Sequence, residues 1–253
     1  MAFLEAHFYS TTLKLQCSAN VLLPERFSTK RPLPCLWLLH GLSDDHTAWL
    51  RRTNIERYVS TYNVAVIMPA VDRSFYADMV YGNKYWTYIS DELPKIMRTY
   101  FHISDKRSDN FVAGLSMGGH GAFKLALNYP DRYAAAASLS GVMDISSPWV
   151  KRERSYEMLL AFGKSGPART NADLFNIAKQ LVDSGQPTPK LFQCCGTMDF
   201  LYKDNLRFRD HARKIGLPVD YSDGPGKHEW SYWDARIQEV LQWLPLKKIA
   251  LTL

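Results

Sequence analysis

Apolar and polar positions change period along this chain, and each change marks an element. Residues 2–9 and 13–23 alternate apolar and polar side chains. A strand buried on one face has this period of two, so the two segments predict an antiparallel hairpin. Short, almost wholly apolar runs follow at residues 35–39, 64–68, 110–115, 133–139 and 190–195, with a last strand expected at 219–222. Such runs suit strands covered on both faces. Between them, residues 47–62, 85–100, 117–129, 201–215 and 230–244 read as helices, and Pro94 marks an early turn or a kink in the second. Strands alternating with helices predict an α/β fold. Its central sheet is mostly parallel with helices on both faces, and the N-terminal hairpin supplies antiparallel edge strands.

Residues 142–189 break the rhythm. They separate two strands and contain helical pieces among turn signals at Gly163, Gly166-Pro167 and Gly185. They predict a small insertion, or cap, within a single domain spanning residues 1–253. At 253 residues and 46% hydrophobic composition, the chain is long and apolar enough to bury one large core.

Charge and cysteine content narrow the partners. The net charge of +6 is scattered in short runs such as Arg51-Arg52 and Lys151-Arg152, without a long basic tract, so no nucleic-acid partner is expected. No apolar run approaches the roughly 18 residues of a membrane helix, so no membrane partner is expected. The N-terminus lacks a basic region followed by a long apolar stretch, and no secretory leader is expected. Cys17, Cys35, Cys194 and Cys195 have no metal-ligand spacing. They are expected as buried reduced thiols of a cytoplasmic protein that carries no metal. The apolar end at residues 249–253 offers a surface either to its own domain or to a second copy in a homo-oligomer.

The chemistry centres on Gly114-Leu115-Ser116-Met117-Gly118. This G-x-S-x-G pattern follows an apolar strand and opens a helix, the setting of a nucleophile elbow. The turn strains the serine and exposes its hydroxyl at a helix N-terminus, while the two glycines let strand and helix approach. A serine hydroxyl needs a base to take its proton. In a strand–elbow–helix fold of this kind the partners follow in the order serine, acid, histidine. Asp199 lies in the loop after the strand at 190–195 and is the expected acid, with Asp144, after the preceding strand, as the alternative. Asp204 reads as a helix-face charge. Of seven histidines only His211 and His228 lie beyond Asp199. His211 sits in a charged helical segment, whereas His228 follows the loop Asp223-Gly224-Pro225-Gly226-Lys227 and is the expected general base.

An oxyanion hole requires two backbone donors. One is expected from the N–H of Met117, and the second from the N–H of Leu42, in the loop after the strand at 35–39. His40 reads as a structural residue beneath that loop, and His120 as satisfying a local hydrogen bond. Trp86 and Trp230, with Tyr85, are candidates for the pocket wall.

Four motifs in this order carry a family resemblance: His40-Gly41-Leu42, Gly114-Leu115-Ser116-Met117-Gly118-Gly119-His120-Gly121-Ala122, Cys195-Gly196-Thr197-Met198-Asp199-Phe200-Leu201-Tyr202 and Gly226-Lys227-His228-Glu229-Trp230. Together they resemble the esterase D branch of the α/β-hydrolases, and within it the bacterial tributyrin esterases, over nearly the whole chain. The resemblance implies the α/β-hydrolase fold and an intracellular carboxylesterase acting on short-chain acyl esters without a cofactor. It implies the same triad, Ser116, Asp199 and His228.

S-formylglutathione hydrolases of the same branch usually carry Leu-Thr-Cys-Thr in the oxyanion loop and histidine before the nucleophile. Leu42-Ser43-Asp44-Asp45 and Leu115 stand there instead, which argues against that alternative. An acyltransferase or a carbohydrate deacetylase would use the same triad. A binding module that has lost catalysis is the reading from outside enzymology.

Overall fold

The computed structural model describes residues 1–25, 27 and 30–249. Among these, eight strands form one sheet: β1 (Ala2–Ser10), β2 (Leu15–Leu23), β3 (Cys35–Leu39), β4 (Ala65–Pro69), β5 (Asn110–Leu115), β6 (Ala135–Leu139), β7 (Lys190–Gly196) and β8 (Asp220–Gly224). Their spatial order is β1-β2-β4-β3-β5-β6-β7-β8. β1 pairs with β2, and β2 with β4, antiparallel. Every pairing from β4 to β8 is parallel. The α/β-hydrolase arrangement with an antiparallel edge hairpin is therefore present.

Period two decides which residue faces which layer. Cys35, Trp37 and Leu39 of β3 join one apolar cluster, and Leu36 and Leu38 join the other. β5 divides likewise, Val112 to the first side and Phe111 and Ala113 to the second. Each buried apolar side chain of this size stabilises by about 1.5–3 kcal/mol, so a register slip of one residue would forfeit both layers together.

The helices are α1 (Ala48–Arg52), α2 (Ile55–Val59), α3 (Tyr85–Thr87), α4 (Leu93–Tyr100), α5 (Met117–Asn128), α6 (Pro148–Glu153), α7 (Ser155–Phe162), α8 (Leu174–Asp183), α9 (Tyr202–Ile215) and α10 (Trp230–Trp243). Ile55, Val59, Ile237 and Val240 place α2 and α10 on the second face. Phe123, Ala178 and Phe208 place α5, α8 and α9 on the first. No helix among the described residues is long and apolar enough to cross a membrane. All four cysteines are buried free thiols.

One expectation needs correction, and two elements need detail. The helix expected at 47–62 is two, because Thr53 and Asn54 divert the backbone. The Thr53 hydroxyl donates to Trp49 O at 2.6 Å and accepts from Ile55 N–H at 3.1 Å, and Asn54 N–H donates to Asp234 of α10 at 3.1 Å. Such local bonds compete with helix continuation. The helix expected at 85–100 is present, and the irregularity expected at Pro94 is a π-helical turn at Tyr88–Glu92. Pro94 has no N–H for the Ser90 carbonyl, which accepts instead from Arg132 Nη1 at 2.9 Å. The segment at 142–189, expected as an insertion, carries α6, α7 and α8. Its last helix, α8, belongs to the ordinary layer, with Phe175 packed edge-on to Phe208 of α9 at 5.4 Å. Of the apolar end, residues 250–253 lie outside the described residues.

The β1–β2 turn is held by one carboxylate. Glu92 accepts from Ser10 Oγ, from Thr11 N–H at 2.7 Å and Thr11 Oγ1 at 2.6 Å, and from Thr12 N–H at 3.2 Å. Burial pushes its pKa up, but these hydrogen bonds outweigh burial and hold the carboxyl below its usual range. A depressed carboxyl stabilises the fold above its unfolded value and loses that contribution as pH falls through the folded one. Glu92→Gln is therefore expected to cost about 1–2 kcal/mol at pH 7, or a few degrees of Tm. The gap to wild type should narrow below about pH 4, which thermal melts followed by circular dichroism at both pH values would check.

Candidate active site

Ser116 joins β5 to α5 with φ 53° and ψ −117°. A non-glycine residue in this region is strained by about 1–3 kcal/mol and persists only where its surroundings overdetermine it. They do so here through the backbone. Ser116 N–H donates to Leu139 O at 2.9 Å, and Ser116 O accepts from His120 N–H at 3.1 Å and Val142 N–H at 3.2 Å. A Cβ on Gly118 would lie 2.5 Å from Leu39 O and 2.6 Å from His40 O. Only glycine lets the helix pass that close to β3.

The side chain left free by this turn meets an imidazole. Ser116 Oγ donates to His228 Nε2 at 2.9 Å, and His228 Nδ1–H donates to Asp199 Oδ2 at 2.8 Å. The second carboxylate oxygen, Oδ1, accepts from Leu201 N–H at 2.8 Å, and Asp199 is buried. Phe200 packs on the imidazole at 4.4 Å and Trp233 meets it edge-on at 4.9 Å, so the ring has walls on two sides. The loops bearing acid and histidine are joined by Thr197 N–H to Gly224 O at 2.9 Å and Met198 N–H to Gly226 O at 3.0 Å. An imidazole so held can take the serine proton through one nitrogen while the other stays fixed on the carboxylate.

The alternatives lie elsewhere. Asp144 forms an ion pair with Arg207 and accepts from Ser146 N–H at 2.9 Å. Asp204 pairs with the same arginine at 3.0 Å. His211 donates to Phe175 O at 3.1 Å on the outer layer. His120 Nδ1–H donates to Val142 O at 3.0 Å, and burial, with Lys124 nearby, pushes its pKa down to about 3. It is neutral and ties the loop after β6 to the elbow.

His40 orders the loop after β3. Its Nδ1–H donates to Gly41 O at 2.7 Å and its Nε2 accepts from Val71 N–H at 3.0 Å. Burial pushes its pKa down, consistent with the neutral ring these roles require. Asp44 N–H also donates to Gly41 O, at 3.2 Å. A trans peptide opposes its carbonyl to its N–H, so fixing Gly41 O fixes the opposite direction of the Leu42 N–H. Met117 N–H, at the first position of α5, has no intrahelical acceptor. Leu42, Ser116 and Met117 line the same cavity.

That cavity has a volume of about 630 Å³. Trp230 lines it, braced edge-on by Trp49 and Trp233, each at 5.3 Å. Trp86 and Tyr85, expected in the wall, do not line it. Trp86 is stacked on Tyr129 at 5.6 Å with Lys124 Nζ 4.3 Å from its ring centre, an internal packing role. Sequence reasoning missed Phe75, Trp149, Phe200 and Trp233 in the lining. Phe200 and Trp233 had a signal, the first beside Asp199 and the second one helical turn past Trp230. Phe75 and Trp149 had none, because tertiary packing alone brings them in.

From the insertion, Val142, Trp149 and Arg154 reach the cavity. Trp149 stacks on Phe200 at 4.5 Å, and Arg73 forms an ion pair with Glu157 of α7. The insertion is thus tied to the acid loop and to the loop after β4. Among the described residues no group of three His, Cys, Asp or Glu is placed to hold a metal.

Comparison with known proteins gives a consistent picture. The Esterase family model, described as "Putative esterase", matches residues 10–244. An acetyl esterase of Caldicellulosiruptor saccharolyticus is 28% identical, over 96% of this chain and 98% of its own. The substrate-bound structure of the Staphylococcus aureus fluorophosphonate-binding serine hydrolase FphF is 38% identical, covering 96% of this chain and 98% of that one, with a TM-score of 0.90. The apoenzyme of the S-formylglutathione hydrolase FrmB, also from Staphylococcus aureus, is 38% identical with the same coverage and a TM-score of 0.87.

A methyl group at position 118 must push against backbone rather than a flexible side chain. Gly118→Ala is therefore expected to slow labelling of Ser116 by a fluorophosphonate probe roughly tenfold or more and to destabilise the fold by an overpacking cost of about 1–3 kcal/mol, read as a lower Tm. Wild-type labelling rates in that variant would refute the tight approach of β3 to α5.

Proposed function

Since the chain belongs to the Esterase family, as a serine carboxylesterase of the esterase D type with an α/β-hydrolase fold, we propose that it hydrolyses acetyl to butyryl esters through an acyl-enzyme on Ser116. His228 is the base, Asp199 orients it, and the N–H groups of Leu42 and Met117 form the oxyanion hole. The observation that carries this reading is the unbroken line from Ser116 Oγ through His228 to Asp199.

In the first half-reaction Ser116 Oγ bonds to the ester carbonyl carbon as its proton passes to His228 Nε2. The carbonyl oxygen becomes an oxyanion facing the two N–H groups, each worth about 3–4 kcal/mol to the transition state. Asp199 stabilises the imidazolium. Nε2–H then protonates the departing alkoxide as its bond to carbon breaks. In the second half water gives a proton to His228 Nε2 as its oxygen bonds to the acyl carbon, and Nε2–H then returns the proton to Ser116 Oγ as the bond from Oγ to that carbon breaks.

The relative called an acetyl esterase supports the short acyl chain. The similarity to FrmB supports a second reading, thioester hydrolysis of S-formylglutathione, by the same steps with a thiolate leaving group. Four buried thiols support a reducing, cytoplasmic location.

Two variants and one substrate panel test the proposal. Ser116→Ala should abolish hydrolysis of p-nitrophenyl acetate, and Asp199→Asn should lower kcat by about 10⁴-fold. Across p-nitrophenyl esters from acetate to octanoate, kcat/KM should be highest at two to four carbons. A maximum at octanoate would remove the short-chain assignment, and a higher kcat/KM for S-formylglutathione would favour the second reading.

A further inference from the structure

We propose that Tyr76 and Lys124 are positioning residues of the oxyanion hole, forming a buried strut that runs from α5 to the peptide preceding Leu42. The inference rests on the reading of Leu42 N–H as an oxyanion donor.

The strut begins in a strained turn. Phe75 and Tyr76, after β4, are consecutive non-glycine residues with φ of 50° and 53°. Each costs about 1–3 kcal/mol, and such pairs persist where something specific is gained. Phe75 lines the cavity. Tyr76 is fully buried, and its hydroxyl donates to His40 O at 3.0 Å. His40 Nδ1–H, as described, holds the next carbonyl, Gly41 O, at 2.7 Å. Two successive peptides of the oxyanion loop are thus anchored, the first by a phenol and the second by an imidazole. The direction of the Leu42 N–H depends on both.

Tyr76 is itself held from α5. Lys124 is fully buried two helical turns beyond Ser116, and its Nζ donates to Tyr76 O at 2.7 Å while lying over the Trp86 ring. Gly121, on the turn between, leaves room for the phenol. A Cβ there would lie 2.6 Å from the Tyr76 ring. The same helix therefore carries Ser116 and Met117 at its start and, through Lys124 and Tyr76, sets the distance to the second donor.

A lysine is a poor choice for this place on packing grounds alone. Burial pushes its pKa down to about 7, with Asp78 opposing, and a desolvated amine is costly where methionine would fill the space. The carbonyl of Tyr76 supplies a reason for the amine. It faces the core in a turn where it needs a donor.

The test compares wild type with Tyr76→Phe, Lys124→Met and Ser116→Ala. Tyr76→Phe removes one oxygen and should lower kcat for p-nitrophenyl acetate about tenfold, less than outright deletion of a donor, with KM within about twofold. Affinity for a boronic acid that forms a tetrahedral adduct on serine should fall by the same factor as kcat. Lys124→Met should act in the same direction. If it does not fold, Tyr76→Phe decides alone. Lower Tm with unchanged kcat and unchanged boronate affinity in Tyr76→Phe would overturn the strut. Loss of activity in Ser116→Ala leaves the catalytic reading standing in that case, whereas turnover surviving in Ser116→Ala would remove that reading itself.

Discussion

The hydrogen bond between Ser116 and His228 joins side chains 112 positions apart in the chain, at 2.9 Å. Loop entropy opposes such closure, and nothing local supplies it. The parallel sheet does. β5 and β7 end at the same edge, with only β6 between them, so the loops carrying Ser116 and Asp199 emerge as near neighbours. β8 is the next strand beyond β7, and the chain leaving it brings His228 back over that edge. The backbone bonds from Thr197 and Met198 to Gly224 and Gly226 then lock the last two loops together. The meeting of these three side chains is a property of the strand order before it is a property of any one of them.

This ordering explains what was legible in the chain. Strands buried on both faces read as apolar runs, and their limits in the sequence match the sheet closely at β3, β5 and β7. The elbow was legible because its glycines answer to contacts that any such turn makes. Asp199 and His228 could be picked out because the order serine, acid, histidine eliminates most rivals. Pro94 flagged the irregularity in the helix at 85–100, but the break between α1 and α2 was not legible. Thr53 and Asn54 divert α1 from α2 through a partner on α10, far along the chain. The Ser90 carbonyl finds Arg132 rather than its own helix. Trp86, a candidate for the pocket wall, could not be told from a core residue in the sequence, because an aromatic side chain suits both. Its stacking on Tyr129 is visible only in three dimensions.

The cleft also shows why the insertion matters although little of it touches the cavity. Trp149 lies on Phe200, and Phe200 lies on the imidazole of His228. A shift of α6 is therefore transmitted to the ring that must keep a hydrogen bond at each end. The aromatic stack excludes water from one side of the imidazole, which strengthens its interaction with Asp199. It does so without burying any additional charge. The ion pair of Arg73 with Glu157 adds a second tie, from α7 to the loop after β4, where it is partly exposed and contributes placement more than stability.

Polar groups buried next to the site follow one rule. Burial holds His40 and His120 neutral, so each orients a backbone carbonyl without adding a charge beside Ser116. Asp199 differs from them, a buried carboxyl group held by His228 and by Leu201 N–H. A core built only of leucine and phenylalanine would offer no donors to the backbone carbonyls around the site. It would leave the carbonyls of His40, Gly41, Tyr76 and Val142 free to rotate, and with them the N–H groups on the far side of those peptides. The buried histidines, tyrosine and lysine are what convert a close-packed interior into one that aims its amides.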